Sequence, residues 1–158
     1  MLAVCPIKHA NVQTEIPMRT HEEMEVQTAL YNERNDCSVR AVATAFNMSY
    51  GRAHRLMKRH ANRPKGRGPS SEGFRRAILK IAKLEGREVI QHNEMNGLTL
   101  NRFYKEHGRS GNWIVHIKAH AVGILDGRIC DWTGDDTVKH RKTARLGYRA
   151  AMAAIEII

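Results

Sequence analysis

His120-Ala121-Val122-Gly123-Ile124-Leu125-Asp126-Gly127-Arg128-Ile129-Cys130-Asp131-Trp132 is the stretch whose reading decides the fold. Asp-Gly between two apolar runs is the strongest short hairpin signal, because a tight hairpin turn needs residues that tolerate positive φ. A two-residue turn pairs Leu125 with Arg128, Ile124 with Ile129, Gly123 with Cys130 and Val122 with Asp131. His120 then lies opposite Thr133. Strand side chains alternate, so His120, Val122, Asp131 and Thr133 share a face. His120 and Asp131 become diagonal neighbours, roughly 7–8 Å apart at Cα and within side-chain reach.

Upstream, Trp113-Ile114-Val115-His116-Ile117 is β-rich, and Lys118-Ala119 reads as a break before the hairpin. Downstream, Ala144 to Ala154 looks helical, with Ile155-Glu156-Ile157-Ile158 as an edge strand. The first half is different. After Asn35-Asp36-Cys37, the apolar residues at 39, 42, 43 and 46 follow the i, i+3, i+4, i+7 pattern of a helix buried on one face. Asn35 or Asp36 is its N-cap, which puts Cys37 in the first turn. Ser49 caps a second helix to about His60, and Ser70 or Ser71 opens a third through Leu84. Between them, residues 61–70 form a mobile basic loop rich in Pro and Gly. Arg87 to Gln91 reads as a short strand and Thr99 to His107 as a short helix. Residues 1–30 show no clear period and are expected to form an arm or irregular strand packing on the domain. Helices gathered before a small antiparallel sheet make a single α+β domain over 1–158.

The totals bound the function. With 158 residues and 42% apolar content the chain can build a core, and no run reaches the ~18 apolar residues of a membrane span. The start carries Pro6 and Lys8 and no long apolar stretch, so a soluble, cytoplasmic protein is expected. Three cysteines, Cys5, Cys37 and Cys130, with no C-x-x-C pair argue against disulfides or structural zinc and leave catalysis as the question. No motif calls for a metal or cofactor. The net charge of +10 favours anionic partners.

A cysteine is a useful nucleophile when its thiolate is favoured and a base lies within reach. A helix N-terminus meets the first condition. His120 is the candidate for the second, and a carboxylate placed as Asp131 is could hold its tautomer. Each residue also has a plain structural reading: a core cysteine, a strand-end histidine, a turn carboxylate. The hairpin pairing favours the joint one. His116 is the rival base, with no carboxylate brought to it by the same register.

This order, a Cys heading a buried helix, then a strand His, then an Asp on the next strand, resembles the papain-like cysteine peptidases. Among these are the bacteriocin-leader-processing peptidases, whose nucleophile also follows an Asp. Asn35-Asp36-Cys37-Ser38-Val39-Arg40-Ala41, together with His120-Ala121-Val122 through Asp126-Gly127, more closely resembles small bacteriophage proteins of that fold. The resemblance covers residues 31–60 and 111–132. It implies that Cys37 attacks a carbonyl, His120 moves the proton and Asp131 orients His120. The substrate would be a protein or peptide of a host, cut or transferred at a peptide or isopeptide bond in the host cytoplasm. The Cys37 backbone N–H would be one oxyanion donor. The family's second donor is a Gln six residues before the Cys, and Tyr31 stands there. Asn32 and Asn35 are the substitutes, Asn32 first by spacing.

A reading of another class is a basic module. Arg52, Arg55, Lys58, Arg59, Arg63, Lys65 and Arg67 would grip nucleic acid or an acidic protein, with the triad degenerate.

Overall fold

A computed structural model describes residues 21–64, 66–131, 134–135 and 150–158; the side chains of Cys130 and Asp131 lie outside that description. The elements run α1 (His21–Leu30), α2 (Cys37–Ala45), α3 (Tyr50–His60), α4 (Ser71–Glu85), β1 (Val89–Gln91), a 3-10 turn (Asn93–Met95), α5 (Leu100–Glu106), β2 (Asn112–Ile117), β3 (His120–Leu125), β4 (Arg128–Asp131), β5 (Gly134–Asp135) and β6 (Ala151–Ile157). The strands lie in the order β1-β6-β2-β3-β4-β5, and every described pair is antiparallel. The architecture is therefore α+β.

The local signals explain most of these elements. Ser49, Ser70 and Thr99 each accept a hydrogen bond from the backbone N–H three residues on, which satisfies a donor the first helical turn cannot. α4 ends at Gly86, whose φ of 65° suits the left-handed cap. Its Phe74, Ile78 and Ile81 are buried in one stripe, each contributing about 1.5–3 kcal/mol by leaving water. Asp126 (φ 47°) and Gly127 (φ 80°) form the expected two-residue turn, with Leu125 opposite Arg128 and Ile124 opposite Ile129.

Alternation along the strands separates two cores. Ile114, Ala121 and Ile155 face α2, α3 and α4. Trp113, Val115, Ile117, Val122 and Ile124 face α5 and the 3-10 turn. α2 sits directly on β3: a Cβ on Gly123 would lie 2.5 Å from the Ala41 carbonyl oxygen and 2.8 Å from its Cα. That close approach fixes the height of the Cys37 helix above the sheet.

Four expectations need correction. Residues 21–30 are not an arm but α1, joined to the core through the fully buried Met24. Their period was weak because Val26 and Leu30 remain exposed. The tail from Ala151 is not helical and not at an edge: β6 lies between β1 and β2, with Ala154 opposite Val115. Pairing of Ala151, Ala153 and Ala154 with β2 outweighs the alanines' helix propensity. Lys118-Ala119 is no break but a tight turn, so Ile117 pairs with His120. Two residues of the 61–70 loop are tied to the rest of the chain: Arg63 holds Glu33 through both terminal nitrogens at 2.9 Å, and the Asn35 amide donates to the Gly66 carbonyl at 3.1 Å.

Candidate active site

The residues before Cys37 are held by a buried polar network. Asp36 occupies the cap position of α2, but its carboxylate makes no cap hydrogen bond. It accepts instead from Thr28 (2.6 Å), Tyr50 (2.8 Å) and the Arg40 Nε (3.2 Å to each oxygen). Arg40 also reaches Glu25 at 2.7 Å and Thr28 at 2.8 Å. Asp36 and Arg40 are each 2% exposed, and Tyr50 is fully buried. Burial, and then the Asp36 charge, push the Tyr50 hydroxyl well above its ordinary pKa. Burial would lower the Arg40 pKa, but Asp36 and Glu25 more than offset that and hold it charged. Three helices, α1, α2 and α3, thus meet at the residue next to Cys37. With Asp36 turned inward, its own side chain does not cap the first N–H groups of α2.

Cys37, the first residue of α2, is a half-buried free thiol. It lines a cleft of about 470 Å³ together with Asn35, Ser38, His116 and His120. The wall opposite is Gly68, Pro69, Ser70, Ser71 and Phe74, the end of the 61–70 loop and the first turn of α4. His120 opens β3 and is 4% exposed. His116 is half-buried, its ring edge-on to Phe74 at 5.9 Å between centroids. Burial, and then the neighbouring His120, push the His116 pKa below the usual imidazole value.

The predicted site residues therefore divide. Cys37, His120, Asn35 and the rival His116 come together in the cleft. Asp131 ends β4, paired with Gly134, and its contact with His120 lies outside the described side chains. Asn32, first by spacing, is exposed with φ 48° and is not in the cleft lining; Asn35 takes the cleft position. Tyr31 packs against His54 and Tyr50, at 4.6 and 5.6 Å between ring centroids.

Of the basic residues, Arg55, Lys58, Arg59 and Arg67 are exposed, and Arg52 is exposed but bridged to Glu85 at 2.8 Å. Arg63 is a correction: it is buried in its bidentate pair with Glu33 and offers nothing to a partner. Lys65 lies outside the described residues. The Asp36–Arg40 pair was missed as a functional element. Its signal was an i, i+4 acid–base pair between the cap position and the first turns of a largely apolar helix.

Among the described residues no group of three His, Cys, Asp or Glu side chains is placed to hold a metal ion. Nor is any described helix long and apolar enough to cross a membrane. Compared with protein-family models, curated proteins and solved structures, the chain finds no match.

Proposed function

We propose that this chain is a papain-like cysteine hydrolase acting on a peptide or isopeptide bond, with Cys37 as nucleophile, His120 as general base and Asp131 as its orienting partner. The observation that carries the reading is the shared cleft: Cys37 at a helix start and His120 at a strand start line the same hollow. In the reaction His120 takes the thiol proton as the sulfur attacks the carbonyl carbon. The C–N bond then breaks, the proton passes to the leaving amine, and water hydrolyses the thioester. The Cys37 backbone N–H and the Asn35 amide are the donors available to the oxyanion. The motif resemblance makes the chain a phage protein and its target a host protein in the host cytoplasm.

The test is labelling by a thiol-directed electrophile at neutral pH. Rapid modification of Cys37 that is lost in His120→Ala and kept in His116→Ala is the expected result. If His116→Ala is the inert variant instead, the base is misassigned. A second reading is favoured by the exposed row Arg55, Lys58 and Arg59 on α3, with Arg67 also exposed: a module that binds nucleic acid. Steeply salt-dependent nucleic-acid binding with no selective labelling of Cys37 would support it.

A further inference from the structure

The residue after the nucleophile carries a hydroxyl that the fold leaves unused. Ser38 is 3% exposed, lines the Cys37 cleft, and its Oγ has no hydrogen-bond partner among the described residues. Buried polar groups almost always have one, because an unpaired hydroxyl away from water is destabilising. A helical serine can return its hydroxyl to a carbonyl one turn back, and Ser38 does not. It also stands at the N-terminus of a nine-residue helix, where backbone N–H groups carry partial positive charge. In α2 the Val39 and Arg40 N–H groups both donate to the Asp36 carbonyl, at 2.8 and 3.0 Å. The Cys37 and Ser38 N–H groups come before any intrahelical acceptor exists. Charge permits an anion here: no described residue lining the cleft is a carboxylate, and that of Asp36 is turned inward to Arg40. Asn35 is the weaker candidate for the same task. It is exposed and its amide already donates to the Gly66 carbonyl at 3.1 Å, so water competes for the hydrogen that is left.

We infer that the Ser38 hydroxyl is an oxyanion donor of the Cys37 site, a catalytic residue acting beside the Cys37 N–H. The inference rests on the hydrolase reading and adds a group to its machinery. As the Cys37 sulfur bonds to the carbonyl carbon, His120 takes the thiol proton and the C=O π pair moves onto oxygen. That oxygen becomes an anion and accepts from the Ser38 O–H and the Cys37 N–H. A donor that is unpaired at rest and gains its partner only as charge develops lowers the barrier without tightening ground-state binding. When the oxyanion collapses, the bond to the leaving group breaks and the Ser38 hydroxyl is unpaired again.

The experiment compares two reagents on the full chain at neutral pH, each with Cys37→Ala as the blank. p-Nitrophenyl acetate acylates a thiolate through a tetrahedral oxyanion and expels p-nitrophenolate. Iodoacetamide alkylates the same thiolate by displacing iodide, and no oxyanion forms. Ser38→Ala should slow the Cys37-dependent release of p-nitrophenolate by about tenfold to a hundredfold, the effect of one hydrogen bond to a charged group. Alkylation, the control that reports only the thiolate and its access, should stay at the wild-type rate. The same variant should keep or raise the urea midpoint, since it removes an unpaired buried hydroxyl. Equal slowing of both reagents would make Ser38 a support for Cys37 and overturn the oxyanion role. So would unchanged release of p-nitrophenolate, or a urea midpoint that falls, because the hydroxyl would then already have a partner. Wild-type alkylation that is not selective for Cys37 would count against the hydrolase reading itself, and the inference would fall with it.

Discussion

Asp36→Ala is the substitution that most directly tests how the Cys37 helix is held. It removes the acceptor of four hydrogen bonds, from Thr28, from Tyr50 and two from the Arg40 Nε. Arg40 would remain 97% buried at its side chain, and the Glu25 carboxylate it also meets is on a side chain 51% exposed. Breaking a buried pair from one side costs about 3–5 kcal/mol, because the other charge stays buried. The Tyr50 hydroxyl also loses its Asp36 acceptor, which adds about 1–3 kcal/mol. Glu25 offsets part of this, so the expected loss is about 4 kcal/mol, a large fraction of the 5–15 kcal/mol typical of a whole domain. Urea unfolding at neutral pH, followed by circular dichroism, measures it. Asp36→Ala combined with Arg40→Met should recover about 1–4 kcal/mol of the loss, since no uncompensated charge then remains. A single-variant loss below about 1 kcal/mol, or a double variant no better than the single, would refute the argument.

Other expectations follow from particular contacts. Cys37→Ala should leave the unfolding midpoint nearly unchanged and abolish electrophile labelling; an unfolded variant would make Cys37 a core residue and not a nucleophile. Asp131→Asn should keep the fold and slow labelling without stopping it, whereas Cys5→Ser and Cys130→Ser should label at the wild-type rate. Gly123→Ala drives a methyl into the Ala41 backbone, and an overpacking loss of about 1–3 kcal/mol should appear in the urea midpoint. The His92 ring nitrogens lie 2.7 Å from Glu94 and 2.9 Å from Glu156, to which the protonated ring donates, with the Trp113 ring 5.2 Å away between centroids. Burial would lower its pKa, but the two carboxylates more than offset that, and the net direction is up from 6.5. A raised folded pKa means stability fully present below 6.5 and lost as pH rises through the folded value. The stability gap between wild type and His92→Gln should therefore shrink as pH rises, and a gap that stays constant would exclude the ion pairs as its source.

What the sequence determined by itself is whatever depends on near neighbours. Asp126-Gly127 dictates its turn because those two residues accept positive φ, and the turn dictates the pairing next to it. Ser49, Ser70 and Thr99 start their helices because each reaches a backbone N–H three residues away. The apolar stripe of α2 put Cys37 at a helix start, and the turn geometry put His120 at the head of a strand. Tertiary structure alone decided where side chains find partners that are remote in the chain. Asp36 looks like a cap until Thr28 from α1 and Tyr50 from α3 arrive with better donors. Arg63 looks like a surface cation until Glu33 meets it, and Asn35, not Asn32, is turned to the cleft. Ala151 to Ala154 favour a helix by a few tenths of a kcal/mol per residue, about the scale of intrinsic propensity. Pairing with β2, which β6 shares with β1 on its other side, satisfies their backbone groups and buries Ala151 and Ala154. A preference that small yields to such pairing, and nothing local in the sequence records that β1 and β2 leave a strand's width between them.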